Sequence, residues 1–207
     1  MPRISPQLVL ASSSPQRRAI LERLGVSFTV RPADCPEIEQ GDPGEVALEN
    51  ALRKARVAQK LGMEAGGGAE VVLGCDTLVA LEGTIYGKPR DEQEARATLQ
   101  ALSGATHEVI SGVAVLLGGE GRSATDRSQG GQRTALARTA VTFRALDEEL
   151  LDWSLQSGEW RGRAGGYAIQ GAGAALVRKI EGDYENVVGL PLASLLDIYP
   201  ELLFACK

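Results

Sequence analysis

The stretch VVLGCDTLVAL (71–81) is apolar and β-branched except near its centre, where Asp76 follows Gly74 and Cys75. A carboxylate inside a buried strand costs free energy unless it is paired, bound to a metal ion or set at the edge of a cleft. A strand-end aspartate that caps a turn is the ordinary alternative. Gly74 and Thr77 beside it suit a place where backbone comes close to a ligand. Other residues able to do chemistry are scattered. Arg17 and Arg18 stand at the head of a helix in LVLASSSPQRRAILERLG (8–25), and Glu37 and Glu39 lie in the acidic loop ADCPEIEQGDP (33–43). Lys54 lies between Arg53 and Arg56, Lys88 is held extended by Pro89 in YGKPR (86–90), and Gln170 is the polar amide of GYAIQG (166–171). One by one these read as solvated charges or as an amide satisfied within the fold. Together they are one buried-type carboxylate, a second acid, three cations and an amide, with no nucleophile–histidine pair. That set suits metal-assisted attack of water on a polyphosphate better than acyl transfer.

Composition narrows the classes. The 207-residue chain is 43% hydrophobic and 24% charged, an ordinary balance for a globular fold that buries its core as one domain or two small lobes. Its net charge of −5 argues against non-specific binding to nucleic acid or to a membrane surface. No apolar run is long enough to span a bilayer and the first residues carry no signal-peptide core, so a cytoplasmic protein is expected. Cys35, Cys75 and Cys206 are far apart, without metal-ligand spacing or a disulfide framework. The single histidine, His107, excludes His-rich zinc sites and counts against a Ser-His-Asp triad; in ATHEVISGVAV (105–115) it reads as structural. A metal would have to be held by carboxylates, which selects a hard divalent ion, magnesium or manganese.

The elements that position these residues follow from periodicity. Residues 8–10 form a short buried strand and 26–30 a second. Between them Ser13 or Ser14 caps a helix with Pro15 in its first turn. Ile20, Leu21 and Leu24 mark its core face, which Arg17 shares; Arg18 lies one step round, four residues before Glu22. Arg18 therefore reads as a surface charge. Arg17 points along the buried side of a strand-to-helix corner, where free N–H groups and the helix dipole favour an anion, or else it packs its stem and snorkels. Asp42 and Pro43 start a long helix to about Leu61. Residues 71–81 read as a strand, 83–91 as a turn-rich loop, and Asp91 with Glu94 as the cap of a helix ending at Ser103. A long strand over 106–117 precedes the polar, Gly-rich stretch 118–134, an exposed hairpin extension or loop, after which 135–146 returns antiparallel. A helix from Asp147 to about Gln156, a Gly-rich loop over 158–174, more strand over 175–189 and a last helix over 191–199 complete a single α/β domain, a mixed sheet with flanking helices.

In chain order, LASSSPQRRAILERLG (10–25), RKA (53–55), VLGCDTLV (72–79), GKP (87–89), LSGATHEVISGV (102–113), GGYAIQG (165–171) and IEGDYENVVGLPL (180–192) resemble the motifs of the Maf family of nucleoside triphosphate pyrophosphatases. The resemblance covers nearly the whole chain apart from 118–134. It implies a two-lobed α/β fold related to the inosine triphosphate pyrophosphatases, usually a homodimer, that hydrolyses a nucleoside triphosphate to monophosphate and pyrophosphate with a divalent cation. It also implies roles. Asp76 matches the proton acceptor and Glu37 the acid near the metal, which makes both candidate ligands. Arg17, Lys54 and Lys88 match cations around the phosphates, beside the serine corner that includes Ser13. Thr77 and Gln170 match specificity positions of the branch acting on dTTP and UTP; the 7-methyl-GTP branch has Gln after the Asp and Glu in place of Gln170. There are two departures. Gln16 stands where the first branch usually has Arg and the second Trp, which leaves base preference open at that position. GRAGGY (162–167) replaces an Asp-Lys-Ala-Gly pattern, so Gly162 brings no carboxylate. The expected activity is hydrolysis of dTTP and UTP, or of modified pyrimidine nucleotides. A pyrophosphatase with another base preference and a non-catalytic nucleotide sensor of cell division are the alternatives, and the retained Asp76 and Glu37 favour the enzyme.

Overall fold

The computed structural model describes residues 7–66, 70–118 and 131–204. Its frame is one mixed sheet of β1 (Gln7–Leu10), β2 (Phe28–Val30), β3 (Glu70–Leu81), β4 (Thr84–Tyr86), β5 (Thr106–Leu117), β6 (Gln132–Phe143) and β7 (Val177–Glu181). The order is β2-β1-β3-β5-β6-β7, with β4 folded back onto β3. β1 runs parallel to β2 and β3, and the remaining pairs are antiparallel. β3, β5 and β6 have twelve residues each, about 40 Å of extended chain, enough to serve two lobes. The α/β class expected from the sequence is the one that forms.

Among the described residues six α-helices flank the sheet: α1 (Pro15–Arg23), α2 (Pro43–Glu64), α3 (Glu92–Leu102), α4 (Glu148–Gln156), α5 (Tyr184–Val188) and α6 (Leu192–Ile198). In one lobe, Ile20, Leu21 and Leu195 from α1 and α6 pack on Leu8, Leu10, Leu73 and Val113. On the opposite face Ala51, Ala55 and Ala58 of α2 pack on Val9, Val72 and Ala114. In the other lobe α3 and α4 bring Leu99, Leu102, Leu151 and Leu155 against Val79, Val109, Val141 and Phe143. His107 lies in this second core, fully buried, with Nε2 3.0 Å from the Tyr167 hydroxyl and its ring edge-on to Phe143 and Tyr167. Burial pushes its pKa down to about 4, so it is neutral at pH 7 and structural, as read from the sequence.

The helices begin where their caps are. The Ser14 hydroxyl accepts a long 3.5 Å bond from the Arg17 N–H; Asp42 accepts from Gly44 and Glu45 at 2.9 and 3.0 Å, with Pro43 in the first turn. Asp91 accepts from the Glu94 N–H at 2.8 Å and Asp147 from Leu150 at 2.9 Å. Boundaries and one element differ from expectation. The 83–91 loop contains β4, because Glu82 and Gly83 both take positive φ (50° and 80°) and close a two-residue hairpin turn. The segment 175–189 is strand only at Val177–Glu181; Asp183 then accepts from the Glu185 N–H at 2.8 Å and starts α5. α2 continues three residues past Leu61, and β6 starts at Gln132 rather than 135. Residues 119–130, most of the expected insertion, and Cys206 lie outside the described residues.

Two glycines set how closely α2 lies on the sheet. A Cβ at Gly74 would stand 2.2 Å from the Ala51 carbonyl oxygen, and one at Gly112 2.3 Å from that of Ala47. The expectation that Gly74 admits a ligand is therefore corrected: it admits the backbone of α2. This close approach brings the polar side chains of α2 to the middle of β3.

Candidate active site

β1 pairs with β3 as far as Leu73, and β4 joins the same edge only from Val79. Among the described residues, 74–78 of β3 therefore present a free edge between the lobes. A cleft of about 670 Å³ opens there, beyond the carboxyl end of β1, the usual ligand position in open sheets with parallel strands. Side chains alternate across β3, so Asp76 leaves toward α2 and Thr77 toward the opposite face, and both reach the cleft. Its walls also include Ser13, Gln16 and Arg17 from the β1–α1 corner, Glu37 from the loop before α2, Lys54 from α2, Lys88 from the segment after β4, and Gln170 from the loop after α4. The fold thus brings to one place the nine residues set against family positions in the sequence, while Arg18 and Glu39, also raised there, do not line the cleft.

Four of them form a charged cluster. Lys54 Nζ donates to Asp76 Oδ1 at 2.5 Å and to Glu37 Oε1 at 2.6 Å, and Lys88 Nζ lies 3.6 Å from the same Glu37 oxygen. Lys54 and Asp76 are 9% and 6% exposed. Of the cations read as a solvated face on α2, Lys54 is thus buried, while Arg53 pairs with Glu49 on the surface. Burial works against the Lys54 charge, but the facing Asp76 and Glu37 carboxylates outweigh it and raise the pKa above the ordinary lysine value. Burial likewise disfavours the charged form of Glu37, and the hydrogen bond and charge of Lys54, with Lys88, outweigh that and lower its pKa. The second oxygen of Asp76 accepts from Asn50 Nδ2 at 3.2 Å. Asn50 had no chemical signal in the sequence beyond being polar one helical turn before Lys54.

Arg17 is held differently. It is 8% exposed, and its guanidinium donates to the Gly189 carbonyl at 2.8 Å, to Ser12 Oγ at 2.9 Å and to Thr77 Oγ1 at 3.1 Å. Every one of these partners is neutral, and among the described residues no carboxylate pairs with Arg17. Gly189 ends α5, where helix carbonyls carry partial negative charge. Arg18, by contrast, pairs on the surface with Glu22 at 2.7 Å, as its place on the helix predicts. Thr77 Oγ1 also meets Ser111 Oγ at 2.8 Å and the Gly189 carbonyl at 3.3 Å. The Cys75 thiol, its pKa raised by burial, donates to that carbonyl at 3.4 Å. Sequence reasoning missed Ser12, Ser111 and Gly189; a backbone carbonyl leaves no signal in residue type.

Gln170 departs from the reading of a buried amide: it is exposed on the cleft wall. No hydrogen bond to it occurs among the described residues, and the Thr77 hydroxyl is spent on Arg17, Ser111 and Gly189. It lies in an exposed turn of the Gly-rich loop, between two 3-10 segments (Ala164–Gly166 and Ala172–Ala175). Gln16 accepts from the Ser14 hydroxyl at 3.2 Å, and Ser13 is exposed at the cleft mouth. The loop after α4 adds Glu159, Arg161 and Arg163 to the walls. Among the described residues five cations thus face three carboxylates in a chain of net charge −5, and this local reversal of sign favours a polyanion.

A family model described as Maf-like protein matches residues 7–202. The chain belongs to this Maf-like family. It is 42% identical over 193 residues, 93% of this chain and 91% of the other, to the dTTP/UTP pyrophosphatase of Deinococcus radiodurans. It is 45% identical over 190 residues to that of Anaeromyxobacter dehalogenans strain 2CP-C, covering 92% and 91% of the two chains. To that of Pyrococcus furiosus it is 42% identical over 195 residues, covering 93% of each. Among solved structures it resembles a nucleoside-triphosphatase (dITP/XTP pyrophosphatase) from Mycobacterium abscessus at a TM-score of 0.38 and 21% identity, over 68% of this chain and 75% of that one. A likeness of that size adds nothing to the sheet order described above. The cleft is chemically asymmetric: a lysine locked between two carboxylates on one side of β3, and on the other an arginine with no anionic partner among the described residues.

Proposed function

We propose that this Maf-like protein hydrolyses dTTP and UTP to the nucleoside monophosphate and pyrophosphate. The observation that carries the reading is the meeting, at one free strand edge, of Asp76 and Glu37 with Arg17, Lys54 and Lys88, in a chain whose relatives bear that activity in their names. Arg17 and the start of α1 bind phosphate oxygens. Asp76 takes a proton from a water whose oxygen bonds to the α-phosphorus; the bond from that phosphorus to the bridging oxygen breaks, and pyrophosphate leaves beside Lys54 and Lys88. The donor set fits a divalent ion: Glu37 Oε1 and Asp76 Oδ1 both lie within hydrogen-bond distance of one ammonium, so one cation can reach both. Magnesium is commonly held by one or two carboxylates with substrate phosphates completing the shell. Glu37 and Asp76 would hold it, and it would neutralise charge on the phosphate oxygens. At the base end, Gln170 offers an amide acceptor and donor to the imide edge of uracil or thymine.

The test is pyrophosphate release from UTP, dTTP, CTP, GTP and 7-methyl-GTP with magnesium or manganese. Preference for UTP and dTTP is expected. Preference for a guanine nucleotide would mean that Gln16 has redirected the base site. Binding without release from any nucleotide would make the protein a sensor.

A further inference from the structure

Asn50 is 2% exposed on the buried side of α2, one turn before Lys54. Its side chain makes three bonds. Oδ1 accepts from the Ile38 N–H at 2.8 Å, and Nδ2 donates to the Ile38 carbonyl at 3.0 Å and to Asp76 Oδ2 at 3.2 Å. These partners fix which way the amide points. Turned over, its oxygen would face both a carbonyl and a carboxylate, and its NH2 would face an N–H. Ile38 follows Glu37 in the chain, so the bonds that hold Ile38 also hold the backbone from which Glu37 reaches Lys54. Asp76 is then gripped at both oxygens from successive turns of one helix: Oδ1 by Lys54 and Oδ2 by Asn50. A carboxylate with both oxygens bound has a fixed plane, which one bond alone does not give.

We infer that Asn50 is a positioning residue that sets Asp76 and Glu37 relative to each other for hydrolysis. It rests on the proposed pyrophosphatase reading and adds to it a residue that touches neither substrate nor water. Misplacing a reacting group by about an ångström costs up to about a hundredfold in rate, whereas nucleotide binding, carried by Arg17 and the serine corner, does not pass through Asn50. Loss of Asn50 therefore lowers kcat and spares KM.

The experiment compares wild type with Asn50→Ala and Asn50→Asp. The second keeps the side-chain volume but replaces the donor toward Asp76 with a carboxylate oxygen, and so remains informative if the first folds poorly. Turnover of the best nucleotide of the panel, Tm and amide exchange at Ile38 are measured on each. Folded Asn50→Ala is expected to lose about tenfold to a hundredfold in kcat with KM within about threefold and faster exchange at Ile38; Asn50→Asp is expected to fall at least as far in kcat. A folded variant that keeps kcat within about twofold overturns the inference, and faster Ile38 exchange in it would make Asn50 a loop clamp only. Raised KM at unchanged kcat overturns it too. Wild type that releases no pyrophosphate sinks the functional reading itself, an outcome distinct from an active wild type with indifferent Asn50 variants.

Discussion

Replacing Arg17 with alanine separates binding from folding in this cleft. A guanidinium carries five N–H donors. Three go to Gly189, Ser12 and Thr77, which leaves two, one on each terminal nitrogen, for a phosphate. A charge-assisted bond of this kind contributes about 1.5–3 kcal/mol, so losing even one weakens nucleotide binding about tenfold to a hundredfold at ~1.4 kcal/mol per factor of ten. The fold loses less. The Gly189 carbonyl still accepts from Thr77 and Cys75, and Ser12 Oγ still accepts from the Ser14 N–H at 3.2 Å. Arg18→Ala is the control. Its pair with Glu22 joins two side chains 62% and 52% exposed, worth about 0.5 kcal/mol or less, and nucleotide affinity should stay within about twofold. Arg17→Lys keeps the charge but not the planar fork, and should fall between the two. Calorimetric titration with a non-hydrolysable UTP analogue gives the affinities, and thermal melts the stabilities. Equal effects of Arg17→Ala and Arg18→Ala would refute the helix-face argument. A large fall in Tm at unchanged affinity would make Arg17 a structural cation.

Three further outcomes follow from named groups. Asp76→Asn should fold as wild type and lose at least about a hundredfold in kcat, the scale of a missing general base; near-normal turnover removes Asp76 from the chemistry. Gln170→Glu should cost UTP and dTTP hydrolysis about fivefold to a hundredfold, since a donor facing a pyrimidine carbonyl becomes a carboxylate; an unchanged ranking of UTP, dTTP, CTP and GTP means the base is read elsewhere. His107 has its folded pKa depressed to about 4 from 6.5 by burial, so between those values the unfolded chain binds more protons. The stability it contributes is present above about pH 6.5 and is lost as pH falls toward 4, about 3 kcal/mol in all at 1.36 kcal/mol per pKa unit. His107→Gln should therefore lose less Tm than wild type between pH 7 and 4.5, and parallel Tm curves would contradict this.

Legibility in the sequence followed the range of the interaction. Helix starts were readable because a cap acts over three residues: Ser14, Asp42, Asp91 and Asp147 each bond within their own first turn. The contrast of Arg17 with Arg18 was readable because helix phase alone separates them. Asp76 stood out because a carboxylate conflicts with the strand around it. Lys54 was not readable from local pattern, and only its match to a family motif marked it. In sequence it is one cation among three, and it is buried only because Gly74 and Gly112, far along the chain, let α2 settle onto the sheet. Glu37 needs Asn50 to hold its loop, a contact no local pattern announces. β4 was missed because its turn uses Glu82 at positive φ, where asparagine or glycine is the usual signal. Gln170 was misplaced because an amide between apolar residues and a glycine reads as interior, while it lies in an exposed turn between two 3-10 segments.

The two ways in which the cleft holds its cations bear on how hydrolysis is confined to bound substrate. Near Asp76 the charges cancel internally: Lys54 between two carboxylates, Lys88 against Glu37. Among the described residues Arg17 meets only dipoles and hydroxyls, so a phosphate that reaches it displaces no ion pair there. Under the proposed function the next phosphates reach Lys54 and Lys88 and compete with Asp76 and Glu37 for the same ammonium protons. An oxygen that loses such a bond in a poorly hydrated site must find another hydrogen-bond partner. On that reading the carboxylates become available to water as the triphosphate takes over their lysines, and in the empty cleft they stay paired. On the same reading the charge pattern couples the readiness of Asp76 to the arrival of the nucleotide.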